Sequence, residues 1–115
     1  MILGKDEEEI LSEKIGTLNY KESEYENGTA YLTNKRFIVE GEQGGGLLSD
    51  AETSTVIEVP LTNIRNVSEQ SGGFLKSSKI KLEFDKQGFP TFHLSGVEDP
   101  QSWKNQIEKA VSEVI

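Results

Sequence analysis

Residues 28–40 read GTAYLTNKRFIVE, and the reading of this stretch decides the fold. Ala30, Tyr31 and Leu32 form a short apolar strand, and Phe37, Ile38 and Val39 form another. Thr33, Asn34 and Lys35 join them as a hairpin turn, in which Asn34 tolerates a left-handed backbone. Upstream, Ile10, Leu11, Ile15, Leu18 and Tyr20 make an imperfect apolar pattern, which predicts a first strand bent near Gly16. Residues 21–27 are acidic and polar and end in Asn27-Gly28, a strong turn dipeptide that predicts the first hairpin connection there.

Downstream, residues 42–54 contain three consecutive glycines, Gly44 to Gly46, and no period, so they read as a long flexible loop. These glycines lack the spacing and the following helix of a phosphate cradle. Residues 55–59 make a fourth strand ended by Pro60, residues 64–67 a fifth, and Ser71-Gly72-Gly73 breaks the chain again. Residues 79–85, KIKLEFD, carry the clearest period of two: Ile80, Leu82 and Phe84 face a core while Lys79, Lys81, Glu83 and Asp85 face water. Gln87-Gly88 turns the chain into a seventh strand with Phe92 and Leu94 inward.

A helix follows over residues 100–115. Asp99 is a good N-cap and Pro100 suits the first helical position, where no amide hydrogen is required. Trp103, Ile107, Ala110, Val111 and Val114 then share one face. The predicted fold is therefore mainly β: a seven-stranded barrel or sandwich capped by one C-terminal helix. A first segment, residues 1–8, reads as an acidic, flexible lead-in, with the acids at 6–9 solvated, and residues 9–115 as a single domain.

The totals narrow the function. At 115 residues the chain is long enough to bury a core without staples. It has no cysteine, which excludes disulfides and thiolate metal sites and fits a reducing compartment. No apolar run approaches the length of a membrane span. The net charge of −8 argues against nucleic acid, whose binding depends on neutralising phosphates. Only residues 62–81 run positive, with Arg65, Lys76, Lys79 and Lys81 against Glu69.

Two readings of that segment stand side by side. Ser71-Gly72-Gly73 presents backbone amides in a turn, with Lys76, Lys79 and Lys81 adding charge for a phosphate. Alternatively, Lys79 and Lys81 are the solvent face of an alternating strand that discourages edge pairing. Charge alone is weak: about 1 kcal/mol per base near an anionic membrane, or roughly 3–4 kcal/mol in total, corresponds to millimolar affinity or worse. Lys35 and Arg36, at a hairpin tip, would extend a positive rim. His93, the sole histidine, points out from its strand with no placed serine or carboxylate, and no triad, P-loop or metalloprotease motif occurs. The expectation is a chain without catalysis, metal or cofactor.

Taken together, G-x-x-YLTNKR (beginning at Thr29's neighbour Gly28), the segment VPLTNI (59–64), seven strands and a capping helix with an inward Trp103 resemble GRAM and pleckstrin-homology-like (PH-like) domains. That resemblance covers roughly residues 9–115 and implies a binding module. Residues 64–82, IRNVSEQSGGFLKSSKIKL, are further similar to GLUE domains, the split-type PH domains of an ESCRT-II sorting subunit. GLUE domains bind phosphoinositide lipids and ubiquitin, so this resemblance implies a protein partner, a ubiquitin-like one included, or an anionic headgroup held by the 65–81 segment. The acidic surface favours the protein, a peptide or small folded partner taken in a groove between a sheet edge and the C-terminal helix. The remaining alternative is an accessory domain of a larger enzyme assembly; the expected location is cytoplasmic, with peripheral membrane contact in the lipid reading.

Overall fold

The computed structural model describes residues 1–43, 52–70 and 79–114. Among these residues, seven strands and one α-helix follow in the predicted order: β1 (Glu9–Tyr20), β2 (Ser23–Thr33), β3 (Arg36–Gln43), β4 (Glu52–Pro60), a 3-10 turn (Leu61–Asn63), β5 (Ile64–Gln70), β6 (Lys79–Phe84), β7 (Phe92–Leu94) and α1 (Pro100–Val114). Two antiparallel sheets result, ordered β1-β2-β3-β4 and β5-β6-β7, so the architecture is a sandwich and not a closed barrel.

Alternation builds the core. Ile80, Leu82, Phe92 and Leu94 of the second sheet meet Ala30, Leu32, Phe37, Val39, Ile57 and Val59 of the first, all 2% exposed or less. Each such aliphatic or aromatic side chain contributes about 1.5–3 kcal/mol on burial. The helix closes one end with Trp103, Ile107 and Ala110 buried. Its start is capped as the sequence predicts: the Ser102 amide donates to Asp99 Oδ1 at 3.1 Å.

The bend at Gly16 is present, with φ +74 and register shifts on either side of it. Past the bend β1 stays paired with β2, and the Tyr20 side chain at its end reaches β7. Tyr20 packs edge-on against Phe92 with ring centroids 5.4 Å apart, and its hydroxyl donates to the Pro90 carbonyl at 2.9 Å. Gly96, at φ +81, lets the chain pass the β1 backbone so closely that a Cβ there would lie 2.7 Å from the Ile15 oxygen.

Three local expectations are corrected. The β1–β2 turn is Lys21-Glu22, both at positive φ, and not Asn27-Gly28. Asn27 instead forms a bulge inside β2, and Gly28 is needed there because a Cβ would sit 2.9 Å from the Gly16 carbonyl oxygen. Asn34 does not take the left-handed conformation. Its side chain accepts from the Glu8 amide at 2.7 Å and donates to the Asp6 carbonyl at 3.1 Å, tying the chain's first residues to the β2–β3 turn. Finally, the acids at 6–9 are not uniformly solvated: Glu7 is 8% exposed. Strand pairing Glu42↔Thr53 and Gln43↔Glu52 reaches into the ends of the glycine-rich segment, whose residues 44–51 lie outside the described residues.

Candidate functional site

The positive residues singled out by the sequence do not form one patch. Arg65 leaves β5 toward solvent and donates from Nη2 to Glu83 Oε2 at 2.9 Å. Asn66 donates to the other Glu83 oxygen at 3.1 Å, and Lys81 Nζ lies 3.9 Å from it. These hydrogen bonds, Asn66 first and Arg65 second, hold the Glu83 carboxyl below the usual carboxylate range. Glu83 therefore neutralises part of the positive segment. Lys79 opens β6 in the open, opposite Gln70. Gly72, Gly73 and Lys76 lie outside the described residues.

Lys35 and Arg36 sit elsewhere. Their turn is fastened to the β4–β5 corner, where the Leu61 amide donates to the Lys35 carbonyl at 3.0 Å. That corner adjoins the Phe84 end of β6, since the Asp85 amide donates to the Asn63 carbonyl at 2.7 Å. Lys79 begins the same strand, about 17 Å away at the usual rise per residue. Lys79 and the Lys35–Arg36 turn thus mark opposite ends of β6, with Arg65 beside Glu83 nearer the turn.

Arg36 is also heavily committed. Its Nε and Nη2 donate to Glu7 at 2.7 and 3.0 Å, Nη2 reaches the Ile2 carbonyl at 2.7 Å, and Nη1 pairs with Glu58. Thr33 Oγ1 donates to Glu7 Oε2 at 2.7 Å, and the Gly4 amide donates to Glu7 Oε1 at 2.8 Å. The Arg36 hydrogen bonds outweigh the burial of Glu7 and hold its pKa at about 2. The first residues consequently lie over the outer side of the four-stranded sheet. Ile38, whose side chain alternates away from the core, is 2% exposed, and the Met1 side chain is 6% exposed. A cleft of about 460 Å³ between Lys35, Lys86 and Pro60 is walled by this neutralised network of Glu7, Arg36 and Glu58.

A different cleft, of about 260 Å³, runs between β5 and α1. Ile64, Arg65, Asn66 and Val67 line one wall, and Glu108, Val111 and Ser112 the other. Val67 and Val111 are half-buried, so the floor is apolar, while Arg65 and Glu108 place opposite charges on the rim. β5 is the edge of its sheet, which leaves one side of its backbone outside the ladder. The cleft is positioned from afar: Trp103 Nε1 donates to Glu13 Oε1 at 2.9 Å and the Glu98 amide to Glu13 Oε2 at 2.6 Å, which pins α1 to β1. Sequence reading missed Glu13, because its partners stand 85 and 90 residues away. His93 points outward as expected, and it faces Lys81 across the β6–β7 ladder. Its imidazole pKa is pushed down by partial burial and then by Lys79 and Lys81.

Among solved structures, the Vps36 N-terminal PH domain is similar to this chain, with a TM-score of 0.68 and 18% identity over 98% of this chain and 85% of that one. No protein-family model matches the sequence, and no curated protein matches it. The likeness shows the fold: mainly β, with two sheets and a C-terminal helix in the PH-like arrangement. Among the described residues, no helix is long and apolar enough to cross a membrane.

Proposed function

We propose that this chain is a non-catalytic PH-like binding or scaffolding module that takes a protein partner at the cleft between β5 and α1. One observation carries the reading: an open sheet edge and an apolar floor at Val67 and Val111 coincide at one place, under a rim whose charges are balanced by Arg65–Glu83 and Lys104–Glu108 pairs. An extended segment adds to such an edge through main-chain hydrogen bonds while a side chain enters the floor. A cleft of this size holds an anchor side chain, with the rest of a standard interface spread over the neighbouring surface. The sequence resemblance to GLUE domains makes a ubiquitin-like protein the first partner to test, in the cytoplasm.

A second reading is an anionic headgroup at the positive segment, favoured by Lys79, which forms no ion pair among the described residues. The engagement of Arg65 and Lys81 with Glu83 weighs against it, and for that reason it ranks second.

Chemical-shift mapping of the labelled chain tests the first reading. Added ubiquitin is expected to shift residues 64–67 and 108–112 saturably, and the exposed substitution Ser112→Arg, which fills the cleft mouth, is expected to abolish those shifts. Saturable shifts confined to Lys79 and Lys81 with a soluble inositol phosphate, and none with ubiquitin, would reverse the ranking.

A further inference from the structure

The outer side of the three-stranded sheet holds an arrangement that neither cleft uses. Ser68, Lys81 and His93 are direct cross-strand partners and form one row across all three strands. Gln70 and Lys79 form the next row. Directly opposed side chains have Cβ atoms about 5 Å apart and diagonal ones about 7–8 Å, within reach of long side chains. The two ammonium groups and the imidazole can therefore converge on one point above β6, beside a hydroxyl and an amide.

We propose that this row is a site for a tetrahedral oxyanion, a phosphomonoester being the chemical class, and that its occupation is coupled to protonation of His93. The inference deepens the second reading above and rests on its anion chemistry, but it places the site on the sheet face and adds His93, Ser68 and Gln70.

The charges around the imidazole make the coupling specific. From β6 it faces Lys79 and Lys81, with Glu83 two positions beyond Lys81 on the same side. Glu83 accepts from Arg65 and Asn66, and Lys81 Nζ lies 3.9 Å from it, a loose contact from which an anion must draw the ammonium group. β5 contributes the neutral Ser68 and Gln70 to this face. On the β1 side, Glu13 is turned to Trp103 and the Glu98 amide, and Lys14 lines a separate cleft with Asn27 and Glu42. Without an anion, partial burial and then Lys79 and Lys81 disfavour the imidazolium and hold the His93 pKa below its ordinary value. An anion seated between the lysines reverses the local potential and favours the imidazolium. Binding then takes up a proton, and affinity rises as pH falls through the His93 pKa of the complex.

Sulfate is the probe, because its charge stays constant over the range where His93 titrates. The His93 ring signals of the full chain are followed from about pH 8 to about pH 5.5, with sulfate and with chloride at matched ionic strength. The expected result is a His93 pKa about one unit higher in sulfate, and sulfate affinity about tenfold tighter at the acid end, the factor that one unit represents. His93→Gln is expected to remove the pH dependence and Lys81→Gln the binding; both positions are on the solvent side of the sheet. A His93 pKa equal in sulfate and chloride overturns the proposal. A soluble inositol monophosphate and phosphatidylcholine vesicles carrying the corresponding lipid then separate the sources. Sulfate coupling without vesicle binding sinks the headgroup reading and leaves the site standing. Vesicle binding without His93 coupling does the reverse.

Discussion

Replacing Glu7 by Gln removes one charge and preserves shape, and it probes the ion pair that holds the first residues onto the sheet. The carboxyl group accepts two hydrogen bonds from Arg36, one from Thr33 and one from the Gly4 amide. Its pKa falls from 4.5 to about 2. At 1.36 kcal/mol per unit that difference is roughly 3 kcal/mol. The Arg36 side chain is 24% exposed, so solvent screening reduces the figure to about 2 kcal/mol. The variant is expected to be less stable by that amount at neutral pH, and to melt about 8 °C lower. Because the folded-state pKa is depressed, the stabilisation is fully present above the unfolded carboxylate value of 4.5 and disappears as pH falls toward 2. Urea unfolding followed by Trp103 fluorescence at a series of pH values isolates this group, since the other carboxylates titrate alike in both proteins. The wild-type advantage should be flat from about pH 8 to 6, shrink below about pH 5 and vanish near the folded-state pKa. An advantage of the same size at both ends of the series, or none at neutral pH, refutes the assignment.

Other outcomes follow from single contacts. Gly96→Ala combines a left-handed backbone with a Cβ 2.7 Å from the Ile15 oxygen, and is expected to lose about 2–4 kcal/mol in chemical denaturation. Glu13→Ala leaves the Trp103 indole N–H without its acceptor; about 1–3 kcal/mol should be lost, with a shift in Trp103 emission. Burial raises the Tyr20 phenol from 10 to about 12, so its stabilisation is present below pH 10 and is lost as pH rises through about 12. Ultraviolet titration should show one tyrosine ionising only in that upper range in the folded chain, and Tyr20→Phe should remove it.

Elements whose signal is local were legible in the sequence. The period of two in Lys79–Phe84 and the stripe of Trp103, Ile107 and Ala110 each bury one face of one element, so neighbouring residues alone reveal them. The Asn27-Gly28 turn was misplaced because the same dipeptide serves a different need: a bulge in β2, and a small residue where β1 passes close. Glu7 looked like one of four solvated acids because its burial is decided by Arg36, 29 residues away. The site divides in the same way. Arg65, Lys79 and Lys81 were visible as bases, but their neutralisation by Glu83 and the alignment of His93 with Lys81 depend on strand register. A groove between a sheet edge and the C-terminal helix was legible from the capping helix, but that β5 forms its wall depends on strand order, which no local pattern reports.

The proposed protein-binding cleft between β5 and α1 is tested most directly by calorimetric titration of ubiquitin into the full chain at low and moderate salt, with and without Ser112→Arg. The affinity is expected to survive the added salt and to be lost in the variant at unchanged melting temperature. Binding that collapses with salt and is indifferent to Ser112→Arg would contradict the proposal.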